Sequence, residues 1–207
     1  MPKNRLEAFS DGVIAIVITL LVLEIHVPPL GAHAGNQEIL RALITLLPNF
    51  AAYIISFLVC AVWWVAHHNF VHDLSHADRI LLWANNNFLL WLAFLPFPTA
   101  LLGQYPTMPV AAVLYGFIGM LTGLSFWVMR WYASLKGRLL KSHIPEQEVH
   151  RRVRIGLLSP LAYLAGSICA LWFPLFAMCI YAAIPLYFAV LSIRQKAGPA
   201  PENGVGS

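Results

Sequence analysis

The sequence predicts an all-α membrane protein with six transmembrane helices. Of its 207 residues, 59% are hydrophobic and 11% are charged, whereas water-soluble domains carry about 25% charged residues. The mean hydropathy is +0.71, and the apolar residues fall in long runs. Residues 1–196 are therefore expected to form a single membrane domain. Residues 197–207 are rich in proline and glycine and are expected to form a disordered cytoplasmic tail.

Four apolar runs are each long enough for one span, which takes about 20 residues. They are residues 8–27, 39–66, 80–102 and 110–129. A fifth run, residues 155–193, is about twice as long as one span requires. It is expected to form two helices that turn near Trp172-Phe173-Pro174.

The positive charges predict the orientation of these spans. Six spans place both termini on one side of the membrane. Twelve of the thirteen Lys and Arg residues then lie on that side, and Arg41 lies on the other. The positive-inside rule predicts cytoplasmic termini. The expected location is the inner (plasma) membrane. The basic segment 130–154 is expected to face anionic lipid head groups, and no nucleic-acid partner is expected because no nucleic-acid-binding motif accompanies it.

The first span carries polar residues at its cytoplasmic end. Charged groups are costly at membrane depth and suggest a function, and the Asp11 carboxylate needs a partner in a helix bundle. Arg5 begins the same helix and is one candidate. A second possibility is a hydrogen-bond network that ties the first span to the second and third, formed by Ser10, Asp11, Trp64, His67 and Asn85. Its expected role is to hold the helix in place.

The rest of the first span has an apolar stripe along one side. At about 100° per residue, Gly12, Thr19, Leu20, Leu23 and Val27 all fall within about 60° of Ile16. Such a stripe packs against a neighbouring helix or lipid, or it lines a pore surrounded by copies of this helix. In a pore, narrow apolar rings gate by dewetting. The Thr19 hydroxyl would then coordinate the ion or its remaining water.

Three motifs stand at the beginning or end of the first three spans. They are Arg5-x-x-x-Phe9-Ser10-Asp11, Trp64-x-x-His67-His68, and Leu82-Trp83-Ala84-Asn85 followed by Leu95-Pro96-Phe97-Pro98-Thr99-Ala100. Together they closely resemble the prokaryotic members of the transmembrane protein 175 potassium channel family. The resemblance covers residues 1–103; the later spans agree with the family in topology and little else.

This resemblance implies a homotetramer in which four first helices line a K⁺-permeable pore without a pore loop. By position, the constriction is Ile16, the filter threonine is Thr19, and the further hydrophobic gate positions are Leu20 and Leu23. All four lie on the stripe described above. The chain carries one copy of the Phe-Ser-Asp motif, so four chains are expected to assemble. The implied activity is passive K⁺ flux, with no enzymatic activity and no cofactor.

Other interpretations rest on the histidines and on the buried charge. His68, His72 and His76 recur at four-residue intervals on one helical face. They form either the solvated end of a juxtamembrane helix or a site for metal binding or pH sensing. The other histidines are scattered, so no catalytic metal centre is expected. A secondary transporter or proton-coupled carrier is the alternative function, although the sequence shows no inverted repeat. Glu24 either forms an acidic ring at the outer mouth or pairs within its own subunit.

Overall fold

The computed structural model describes residues 3–31 and 33–196, and this part of the chain is helical. The predicted tail, residues 197–207, lies outside the described residues. The helices are α1 (Asn4–Leu23), α2 (Asn36–Thr45), α3 (Leu47–Asp73), α4 (Arg79–Ala93), α5 (Pro96–Gln104), α6 (Pro109–Trp131), α7 (Glu146–Gly156), α8 (Leu158–Ala170) and α9 (Pro174–Lys196).

Six stretches are long and apolar enough to cross a membrane. They are Asn4–Leu23, Leu47–Asp73, Arg79–Gln104, Pro109–Lys136, Glu146–Ala170 and Pro174–Leu191. The predicted all-α class and the number of spans are therefore confirmed. The last apolar run also divides where predicted, because α8 ends at Ala170 and α9 begins at Pro174.

Prolines divide two of the predicted spans. The span expected over residues 39–66 is interrupted at Leu46, between α2 and α3, and Pro48 lies in the first turn of α3. Proline has no amide hydrogen and its ring collides with the carbonyl four residues earlier, so a helix cannot run through it unchanged. Pro96 acts in the same way between α4 and α5. The second span therefore starts later than predicted, and α2 is a separate short helix.

Helix α6 packs closely against α8 through small residues. A Cβ atom added at Gly119 would come within 2.5 Å of Cδ1 of Tyr163, whose ring is buried. Small residues allow helix backbones to approach in membranes, where apolar burial alone gives no preference for protein over lipid. Helix α6 also contacts α4, which in turn contacts α1, so the bundle carries α1 on one side.

The basic segment 130–154 is more structured than a loop facing head groups. It contains the end of α6, a π-helical turn at Tyr132–Lys136 and most of α7. Within α7, Arg151 and Arg152 lie 2.7 and 2.6 Å from the carboxylate of Glu148. Arg152 also lies 2.6 Å from Asp73 at the end of α3. Much of the positive charge of α7 is therefore balanced within the chain.

Candidate pore helix and its anchoring network

Helix α1 has a buried side and an exposed side. The buried side chains recur every three or four residues and pack towards α3, α4 and α5, which is the spacing of one helical face. These residues are Leu6, Ser10, Ile14, Val17 and Leu21. The subunit's own packing therefore fixes the rotation of α1 about its axis.

The apolar stripe predicted from the sequence lies on the exposed side. Ile16, Leu20 and Leu23 are 59%, 41% and 66% exposed, and Thr19 is exposed as well. The Thr19 hydroxyl donates a hydrogen bond of 2.8 Å to the carbonyl oxygen of Ile16, a local bond that threonine commonly makes in helices. Because the hydroxyl proton is engaged in this bond, the Thr19 oxygen can act only as an acceptor towards the exposed side of α1.

A buried relay of three polar side chains fastens α1 to α3 and α4. Asn85 is at its centre: its Nδ2 donates to Ser10 Oγ at 3.0 Å, and its Oδ1 lies 2.8 Å from His67 Nε2. Ser10 Oγ in turn donates to the carbonyl oxygen of Leu6 at 2.9 Å. All three side chains are buried, so water does not compete for these bonds.

The relay fixes the direction of the hydrogen bond between His67 and Asn85. Because the Asn85 Oδ1 atom only accepts hydrogen bonds, Nε2 of His67 is the donor in this contact. Nδ1 is buried and has no hydrogen-bond partner in the described part of the chain. The ring stacks on Phe88 with 5.9 Å between centroids and 8° between planes. The His67 ring is thus held between the Asn85 amide and the Phe88 ring.

Two further contacts join α1 to α3 along an exposed edge. Trp64 Nε1 donates to the Asp11 carboxylate at 3.0 Å. About one turn earlier on α1, Glu7 lies 3.2 Å from His68 Nδ1. The rings of Trp64 and His68 stack on each other at 6.1 Å. Asp11 is therefore partnered by Trp64 and is separate from the buried relay.

The other motif residues lie outside these contacts. Arg5 and Phe9 are exposed on α1, and among the described residues neither joins the relay. Lys3, which belongs to none of the three motifs, binds α3 instead: its Nζ donates to the carbonyl oxygens of Val71 and His72 at 3.0 Å. A positive charge near the C-terminal end of a helix is favourable because it interacts with the helix dipole. This rule is the one sequence signal that could have suggested the role of Lys3.

The three histidines expected on one helical face are not aligned. Helix α3 ends at Asp73, where Ser75 N donates to the Leu139 carbonyl oxygen at 2.8 Å, so His76 lies beyond the helix. His76 Nδ1 is 2.9 Å from Ser75 Oγ, and His68 faces Glu7. In the part of the chain that the structure describes, no three His, Cys, Asp or Glu side chains are placed to hold a metal ion.

Comparisons with known proteins show the family. The family model "Endosomal/lysosomal potassium channel TMEM175" matches residues 5–96, the segment that contains the relay and the exposed stripe. A potassium channel of Chamaesiphon minutus is 35% identical over 91% of this chain and 94% of its own length. The chain belongs to the TMEM175 family. A potassium channel of Streptomyces collinus is 37% identical over 69% of both chains.

A solved TMEM175 structure also agrees with the fold. The crystal structure of a lysosomal potassium-selective channel TMEM175 homolog from Chamaesiphon minutus matches with a TM-score of 0.81 and 32% identity. The match covers 92% of this chain and 97% of that one. TMEM175 is a family of membrane channels, so this multi-pass protein is not an enzyme.

Proposed function

We propose that the protein is a potassium-permeable channel of the inner (plasma) membrane with cytoplasmic termini. It acts as a homotetramer in which four copies of α1 surround the pore. The supporting observation is the exposed stripe of α1, which lies opposite a face fastened to α3 and α4 by the buried relay. A helix held in this way presents Ile16, Thr19, Leu20 and Leu23 in a constant direction.

The stripe has the chemistry of a hydrophobic constriction. A ring of Ile16 side chains dewets when narrow, and an ion must shed water to pass it. K⁺ gives up its hydration more easily than Na⁺, so the ring favours K⁺ modestly. The Thr19 oxygen, free to accept, lies about one turn further along and replaces part of the lost water. Leu20 and Leu23 extend the apolar lining and act as the gate.

The distribution of charge favours a channel over a proton-coupled carrier. The central parts of the spans contain no Asp, Glu, Lys, Arg or His: residues 12–23, 47–66, 80–104, 110–129 and 155–191. Proton-coupled transport uses ionisable groups inside the membrane. The relay around His67 stands at the end of these segments and holds helices together. The names of the bacterial relatives, which are potassium channels, support K⁺ as the ion.

Flux measurements in liposomes test this function. Purified protein is reconstituted with a K⁺ gradient, and wild type is compared with Ile16→Asn and Leu23→Ala. We expect passive K⁺ flux in wild type and a lower K⁺/Na⁺ ratio in both variants, because the apolar ring becomes polar or wider. Leu90→Ala is the matched control, since Leu90 is an exposed leucine on α4.

Three results would contradict the proposal. One is a flux that requires a proton gradient or a counter-substrate, which would indicate the carrier. The second is an unchanged K⁺/Na⁺ ratio in both α1 variants. The third is a change of the ratio in Leu90→Ala as large as that in Leu23→Ala, because an effect shared by an unrelated exposed leucine would not report on a pore.

A further inference from the structure

A cavity of about 460 Å³ lies between α3, α6, α7, α8 and α9, towards the ends that carry the basic residues. Its volume falls in the range of about 300–1,000 Å³ typical of small-molecule sites. The walls are apolar along most of their length and include Val59, Val62, Tyr163, Ile184 and Phe188. The cavity therefore suits a long apolar group that enters from the membrane.

One end of the cavity is charged. Arg130, Arg152, Asp73 and His72 line it. Arg152 is already paired, because its Nη1 lies 2.6 Å from Asp73 Oδ2 and its Nε lies 2.6 Å from a carboxylate oxygen of Glu148. Both nearby carboxylates are thus bonded to Arg152.

Arg130 has no such partner. Its guanidinium lies over the rings of Phe70 and Phe126, at 5.6 and 5.4 Å from their centroids. Among the described residues, the Arg130 guanidinium makes no hydrogen bond and no ion pair within 4.0 Å. The aromatic faces attract a cation but cannot accept its directed hydrogen bonds. A half-buried guanidinium beside an apolar cavity is therefore left with free donors.

The charges around this end have a net positive sign. Of the charged side chains that line it, Arg130 and Arg152 are positive and Asp73 is negative. His72 is exposed and adds positive charge only when protonated. One negative charge from a ligand would bring the set to balance. A zwitterionic head group would not.

We propose that this cavity binds an anionic phospholipid of the cytoplasmic leaflet. Arg130 binds the phosphate, for which the planar guanidinium fork is well suited, and one acyl chain lies along the apolar walls. The depth of the cavity in the membrane fits this ligand, because its charged end lies at the level of the basic residues that are expected to face the lipid head groups. The inference does not depend on α1 forming a pore, and it concerns a different face of the subunit.

Native mass spectrometry of the purified protein tests the site. The protein is titrated with phosphatidylglycerol or phosphatidylcholine of identical acyl chains. We expect wild type to bind phosphatidylglycerol about tenfold more tightly, the scale of one charge-assisted contact. In Arg130→Gln this preference disappears. Arg79→Gln, an exposed arginine at the start of α4 outside the cavity, retains it. Inorganic phosphate does not compete, because it lacks the acyl chain.

Further variants separate the effect of the Arg130 charge from that of the cavity's shape. Val62→Phe reduces the cavity without changing charge and lowers the affinity for both lipids, whereas Leu164→Phe, on an exposed part of α8, does not. Arg130→Lys keeps the charge but not the fork and retains part of the preference. Binding that is unchanged in Arg130→Gln and Val62→Phe, or lost equally in Arg79→Gln, would overturn the proposal. So would competition by phosphate, or a Val62→Phe variant that alters only the oligomeric state, which would indicate a second copy in the cavity.

Discussion

At the scale of single residues, Asn85 is the centre of the contacts that fasten α1. Its amide accepts from His67 on α3 and donates to Ser10 on α1. The two asparagines that follow it differ from it, because Asn86 is exposed and Asn87 donates to Ser125 on α6 at 2.8 Å. Three consecutive asparagines therefore have three different environments.

Replacing Asn85 by alanine should destabilise the subunit by about 1–3 kcal/mol, since it leaves the buried His67 N–H without an acceptor. Asn86→Ala is the matched control and should change stability by less than about 0.5 kcal/mol. Thermal unfolding of the purified variants in one detergent measures both. Equal losses in the two variants would show that the relay does not stabilise the contact between α1, α3 and α4.

Sequence patterns predict the depth of a residue in the membrane, but they do not predict how the helices are rotated and tilted towards one another. Span lengths put Ser10, His67 and Asn85 at one depth, and the structure joins them. Depth alone suggested both Arg5 and Trp64 as partners for Asp11, and in the structure the partner is Trp64. Lys3 reaches the end of α3 through a long flexible side chain, and such a contact depends on the tilt between two helices that sequence patterns do not encode.

At the scale of elements, Asp78 fixes where α4 begins. Its Oδ1 accepts from the Leu81 backbone N–H at 2.8 Å, and its Oδ2 accepts from the Tyr132 hydroxyl at 2.6 Å. Burial raises the pKa of this carboxyl, but the bonds from Tyr132 and Leu81 lower it more, so the pKa lies below the ordinary 3.8. The carboxylate thus caps α4 and binds it to the turn after α6.

Because the pKa of Asp78 is lower in the folded than in the unfolded protein, its carboxylate stabilises the fold at any pH above the unfolded-state pKa. This stabilisation is lost as the pH falls through the folded-state pKa. Asp78→Asn keeps a capping side chain without the charge, and Asp78→Ala removes the cap at a cost of about 1 kcal/mol. Melting temperatures between pH 7 and pH 3 test this. Wild type should exceed Asp78→Asn at pH 7, and the difference should shrink below about pH 4. A difference that is constant with pH would contradict the assignment.

Apolar runs predict the spans well because every lipid-exposed helix must be apolar for its full length. They predict internal breaks less well. Pro48 and Pro96 could be recognised as kink positions. Whether a proline only bends a helix or divides it in two, as between α2 and α3 at Leu46, depends on the packing around it. The end of α3 at Asp73 is set by hydrogen bonds to residues 139 and 141, which are far away in the sequence. The expected alignment of His76 with His68 failed for this reason.

At the scale of the whole molecule, the account depends on α1 keeping one rotational setting in every subunit. The buried relay and the Asp11–Trp64 bond both act on this setting from within the subunit. Composition predicted the membrane fold because 11% charged residues leave too little polar surface for water. The assembly around α1 was inferred from the family resemblance, since an exposed apolar stripe alone fits lipid as well as a pore.

The Asp11–Trp64 bond should support assembly and leave ion selectivity unchanged. Asp11→Ala and Trp64→Phe are each expected to lower the fraction of tetramer, because α1 loses a tie to α3. The double variant should be no worse than the poorer single variant, which is the signature of one shared interaction. Light scattering after size-exclusion chromatography measures the oligomer. Additive losses, or a changed K⁺/Na⁺ ratio with a normal tetramer fraction, would argue against this role.

The most direct measurement of the central claim is the accessibility of α1 to Ag⁺ from the pore. Single cysteines are placed at Ile16, Leu20 and Val22 after Cys60, Cys169 and Cys179 are changed to alanine, and K⁺ flux into liposomes is recorded. Val22 is exposed but lies about 120° from Ile16 around the helix. The account predicts that Ag⁺ blocks flux through Ile16→Cys and Leu20→Cys and spares Val22→Cys. Block at Val22→Cys alone, or equal block at all three positions, would contradict a pore lined by this stripe.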